Sequence, residues 1–148
     1  MAFWGGEDYD DEPPQFKSSK CPFLQLGALY LCFASGKALK FITYMSDDTW
    51  GIMLTSELSV HEIELDEGAR DRIYRTRKLA ELPLGEIESI EVFQEPDKAV
   101  SEISISISGK ELLMVSGEVS SPIDIVKGDE SILLFLEPEL ISTVKWRI

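Results

Sequence analysis

His61 is the only histidine in the chain. It is therefore the only imidazole available as a general base or as a nitrogen ligand for a metal. It stands in the stretch SVHEIELD, residues 59–66, where Glu62, Glu64 and Asp66 alternate with it. Asp47 and Asp48 add two more carboxylates in an adjacent turn-like stretch. Clustered carboxylates are the raw material of a hard-cation site or of paired acid–base catalysis. The spacing argues against both. Residues two apart on one strand stand about 6.6 Å apart, too far to share an ion unaided. The sequence has no Asp-x-Asp-x-Asp-Gly loop, so it predicts no metal and no cofactor. His61 is in phase with Ile63 and Leu65, which reads as a hydrogen-bonded core histidine.

Nucleophilic chemistry fares no better. A Cys32–His61 or Ser–His61 pair would supply an activated nucleophile. Nothing local supports either pair, and no Gly-x-Ser-x-Gly elbow occurs. The two cysteines, Cys21 and Cys32, lie too far apart for a Cys-x-x-Cys pattern and read as reduced core thiols. The sequence therefore predicts no catalytic residues and no enzyme.

Ser-Gly-Lys occurs twice, at residues 35–37 and 108–110. A phosphate-binding loop requires Gly-x-x-x-x-Gly-Lys-Ser/Thr between a strand and a helix. Here Leu31 and Ser104 occupy the position of the first glycine, and Ala38 and Glu111 follow the lysines. Apolar, strand-like runs flank both copies. Each is expected to be a hairpin turn in which glycine supplies the positive φ.

Arg70, Arg72, Arg75, Arg77 and Lys78 form a basic island. It reads as a docking surface for phosphate, for an acidic partner or for a second copy, or as a face whose arginines answer nearby carboxylates. The self-complementary charge layout favours the latter.

The elements that must position these residues are mostly strands. Residues 26–34, 38–45, 50–58 and 59–66 read as consecutive strands. So do 86–94, 99–108, 111–116 and 131–136. The clearest alternation sets Ile103, Ile105 and Ile107 against Glu102, Ser104 and Ser106. Residues 67–82, EGARDRIYRTRKLAEL, are predicted helical from their good helix formers and from Ala69, Ile73 and Ala80 on one face. Ile73, Arg75, Arg77 and Leu79 also fit a strand period. Residues 122–129 read as a loop or a short turn of helix. Val144, Trp146 and Ile148 read as one face of a terminal strand at 143–148. The expected fold class is α+β, mainly β. It is an antiparallel sheet curled into a sandwich or partial barrel, with about one helix packed against it.

The bulk composition bounds the function. With 148 residues, 44% hydrophobic and 28% charged, the chain suits one globular domain with a real core. Residues 1–20 read as an acidic, partly flexible arm, and residues 21–148 as a single strand-rich domain. The start, MAFWGGEDYDDEPP, has neither a basic nor an apolar leader region. The longest apolar run, LGALYLCFA, is shorter than the ~20 residues a membrane helix needs. The expectation is a cytoplasmic protein that does not enter membranes.

The formal net charge of -13 repels nucleic acid and anionic lipid and attracts a basic partner. The leading expectation is a non-catalytic, acidic protein-binding domain for a basic protein, with Asp47, Asp48, Glu62, Glu64 and Asp66 as the partner-binding face. In size, charge and strand content the chain resembles the small acidic immunity proteins that neutralise bacterial nuclease toxins, although no motif carries the likeness. That resemblance implies inhibition by covering a basic active site. One alternative is a small-ligand binder or minor enzyme with a pocket lined by Tyr44, Trp50 and His61. Another is a self-assembling subunit that pairs with a second copy through an edge strand.

Overall fold

The computed structural model describes residues 2–8, 24–46, 49–59, 70–71, 74–79, 82–94, 96–121, 124–128 and 131–144. Twelve strands and one short helix stand among these residues. The strands form two antiparallel sheets that pack face to face.

The first sheet contains β1 (Ala2–Asp8), β3 (Ala28–Cys32), β4 (Lys37–Ser46), β5 (Thr49–Ser59), β6 (Arg70–Asp71) and β7 (Tyr74–Lys78). Its spatial order is β5-β4-β3-β1-β7-β6. The second sheet contains β2 (Leu24–Leu26), β8 (Ile87–Gln94), β9 (Val100–Ile107), β10 (Lys110–Ser121) and β12 (Ser131–Phe135). Its order is β2-β12-β10-β9-β8, and β11 (Asp124–Lys127) pairs with the far end of β10. Strands β11 and β12 follow one another along β10 and meet at Gly117, which registers with both Lys127 and Ser131.

The core lies between the sheets. Leu29 and Leu31 of β3 and Ile52 of β5 face Ile105 and Ile107 of β9, Leu112 and Met114 of β10, and Ile132 and Leu134 of β12. The unbroken apolar runs LLMV in β10 and ILLF in β12 have a different cause from simple alternation. Their other faces, Leu113, Val115, Leu133 and Phe135, form a second buried cluster with Ile141. Ile141 belongs to helix α1 (Pro138–Val144), which lies over the outer face of the second sheet. A strand covered on both sides has no polar face to show.

Helix α1 begins with Pro138, whose missing N–H would have had no partner in a first turn. The Ile141 amide donates to the Glu137 carbonyl at 2.9 Å. Glu139 places a carboxylate in the first turn, where the helix dipole favours it.

Both Ser-Gly-Lys copies are hairpin turns, but of different kinds. Ser108 and Gly109 both have positive φ, 49° and 78°, and Ile107 registers with Lys110. That is a two-residue turn with the twist antiparallel strands prefer. At the first copy only Gly36 has positive φ, 88°. There Phe33 N donates to Lys37 O at 2.8 Å and Gly36 N to Phe33 O at 3.0 Å, closing a three-residue loop.

Three expectations are corrected. The segment 67–82 carries strands β6 and β7 where a helix was predicted. The strand period of Arg75, Arg77 and Leu79 prevails because β1 offers β7 a complete pairing edge, from Trp4↔Lys78 to Asp8↔Tyr74. Such pairing outweighs helix propensities of a few tenths of a kcal/mol per residue. Asp124–Lys127, read as loop or helical turn, is strand β11, because the end of β10 extends beyond β12 and offers it a partner. Thr143 and Val144, read as the start of a strand, close helix α1, while residues 145–148 lie outside the described residues.

The helix that packs on the sheet is therefore α1, not the arginine-rich segment. Within the acidic stretch at the start of the chain, Ala2–Asp8 is a strand paired with β3 on one side and β7 on the other.

Candidate functional site

Among the described residues the second sheet ends at β8, and this edge is where the candidate site lies. Register sets Ile90 opposite Ile105 and Val92 opposite Ile103. Residues opposite one another share a face of the sheet, so Ile90 and Val92 are on the core-facing side. Ile105 is buried in the core and Ile103 packs against it. Ile90 and Val92 are nevertheless 55% and 56% exposed. The reason is the extent of the opposing sheet. Its edge strand, β5, packs over β9 and β10, and β8 stands one strand further out. The core-facing side of β8 thus overhangs, apolar and wet.

The opposite face of β8 carries Ser89, Glu91 and Phe93. Glu91 registers with Ser104 of β9. The Ser104 hydroxyl donates to Glu111 Oε1 of β10 at 2.6 Å. Three neighbouring strands thereby bring Glu91, Ser104 and Glu111 side by side. Further along the same face Phe93 registers with Glu102, which is 1% exposed and itself registers with Val115.

Both ends of β8 are tied down. At the start, the Gly109 amide donates to Glu88 Oε1 at 3.2 Å. The Ser108 hydroxyl donates to the Leu84 carbonyl at 3.1 Å. Gly85, with φ 140°, lets the chain pass the Ser108 side chain, which fills the space a Cβ would occupy. At the far end, the Gln94 side-chain amide donates to the Lys98 carbonyl at 2.6 Å across a turn in which Asp97 has φ 60°. Register shifts lie between Ile87 and Ser89 and between Phe93 and Gln94. Ser89–Phe93 is the regular stretch between them.

The residues singled out from sequence fall as follows. Asp47, Asp48, His61, Glu62, Glu64, Asp66 and Arg72 lie outside the described residues. Arg70 is on β6, and Arg75, Arg77 and Lys78 are on β7, where Arg75 registers with Glu7 and Lys78 with Trp4. Tyr44 and Trp50 are near the Ser46–Thr49 end of the β4–β5 hairpin, where β4 leads into β5, and are 37% and 38% exposed. Tyr44 registers with Gly51 and Trp50 with Met45, so the two aromatics are on opposite faces and do not line one cavity together. Cys32 is a buried thiol.

Among the described residues no three His, Cys, Asp or Glu side chains gather as a metal site. None of their helices is long and apolar enough to cross a membrane. Sequence reading found β8 as a strand but not as a site. The signal was there in part: IESIEVFQ mixes apolar and acidic residues without strict alternation, as an edge strand with a bulge does.

No family model, no curated protein and no solved structure matches this chain.

Proposed function

We propose that this chain is a non-catalytic, acidic binding module that docks a basic protein partner. The observation that carries the reading is its net charge of -13 over 148 residues. A charge of that size speeds encounter with a cationic surface and weakens encounter with anionic ones. Electrostatic steering alone gives rate rather than grip, so a partner also needs apolar surface to bury. Ile90 and Val92 on one face of β8 and Glu91 on the other offer that combination along one strand edge. A nuclease is one basic partner for which such docking would inhibit, by covering the active site with negative charge and matching shape.

The test begins with capture from native lysate at low and at moderate salt. Each retained protein is then purified and titrated calorimetrically against the chain. The expected result is a partner of high isoelectric point whose affinity falls steeply as salt rises. Retained proteins with no basic bias, or an affinity indifferent to salt, would overturn the reading.

A further inference from the structure

Resting on the reading above, we propose that the partner docks by strand addition on β8, through an extended segment that alternates apolar residues with Lys or Arg.

The geometry of the edge specifies that segment. An edge strand offers a row of backbone N–H and C=O groups to whatever extended chain lies beside it. No other described strand pairs with the outer edge of β8. Successive side chains of an added strand point to opposite faces. On one face they would meet Ile90 and Val92, which overhang the core. On the other they would meet Ser89, Glu91 and the half-buried Phe93, with the Ser104–Glu111 pair behind Glu91. Apolar residues suit the first face and cations suit the second.

The edge is also pre-formed. Glu88, Ser108 and Gln94 fix the chain at both ends of β8 through the bonds to Gly109, Leu84 and Lys98. Little order remains to be imposed on binding, which is where strand addition usually loses affinity. Of the other outer strands, β2 and β6 are only three and two residues long, and β5 is less open. The Ala99 amide donates to Thr49 Oγ1 at 2.8 Å, and the Val100 backbone lies against Gly51, so the start of β5 is already covered.

Charge decides between a foreign segment and a second copy. Two-fold pairing of β8 with β8 would bring the Glu91 carboxylates of both copies onto one face. It would also join two bodies of net charge -13. Like charges across a strand pair are destabilising. The same carboxylates that repel a copy attract a basic strand.

The probes are short synthetic peptides of one composition, lysine and valine. One has the residues alternating and one has them in two blocks. Binding is read by fluorescence anisotropy at low salt, and the site by hydrogen exchange of individual backbone amides. The alternating peptide is expected to bind about tenfold or more tightly than the block peptide, because only it can satisfy both faces at once. It should slow exchange within Ser89–Phe93. Glu91→Lys is expected to weaken it by roughly tenfold. Exchange in β10 and β12 reports whether that variant keeps its fold.

Equal binding of the two peptides, or protection elsewhere than β8, overturns strand addition while leaving the basic-partner reading intact. Failure of every cationic peptide, together with capture of no basic protein, sinks both. A dimer seen by sedimentation and dispersed by Glu91→Lys would identify a second copy as the occupant and overturn the proposal.

Discussion

Ile90 and Ile105 stand opposite each other on the same face of the second sheet, yet one is 55% exposed and the other 2%. The difference is position alone, since both are isoleucines in regular strands. Cutting Ile105 to alanine should cost about 2–5 kcal/mol, because it empties a packed core. Ile90→Thr should change stability by no more than about 0.5 kcal/mol, as exposed sites do. Urea denaturation of the two variants checks both. Equal losses would mean that β8 is covered after all.

Gly51 is the second test of how the sheets meet. The Val100 backbone and the Ala99 side chain occupy the space a Cβ at Gly51 would need. Gly51→Ala should therefore push β5 away from β9, at a cost of about 1–3 kcal/mol, the range of overpacked cores. The measurement is the shift in denaturation midpoint. An unchanged midpoint would mean that the strands part there without loss.

The two Ser-Gly-Lys turns differ in kind but make the same demand on their glycines. Gly36 and Gly109 both have positive φ, and an added Cβ would meet nothing within 4 Å at either. Alanine at either site should thus cost only the conformational term, roughly 1–2 kcal/mol, with no steric part. Thermal melts of Gly36→Ala and Gly109→Ala should show similar losses. A much larger loss at one would point to a role beyond turning the chain.

Helix α1 is short, and its hold on the sheet rests on few side chains. Ile141 is buried against Leu113, Val115, Leu133 and Phe135. Ile141→Ala should cost about 2–4 kcal/mol if the helix is integral to the fold. Amide exchange over residues 138–144 should then speed up before the rest of the sheet opens. Uniform acceleration across the sheet would instead mean that helix and sheet open as one unit.

Much of the fold was legible because strand signals are local. The alternation of Ile103, Ile105 and Ile107 marks β9 whatever surrounds it, and the turns at Gly36 and Gly109 follow from backbone sterics. The polar half of β9 was less transparent. Glu102 and Ser104 alternate as a solvated face would, yet both are buried, because Phe93, Val115 and Glu111 stand beside them in register or hydrogen-bond reach.

The sequence by itself determined the class of structure: antiparallel strands, tight hairpins, an acidic surface and a chain able to fill a core. Tertiary structure decided three further matters. Residues 74–78 became a strand because β1 lay beside them, although their helix propensity was good. Residues 138–144 became a helix because Leu133 and Phe135 of β12 offered an apolar face to cover. Ile90 and Val92 became surface because, among the described residues, the opposing sheet ends at β5, one strand short of them. Periodicity tells which residues share a face. Whether that face is covered depends on how far another element of the chain extends, and no local pattern carries that information.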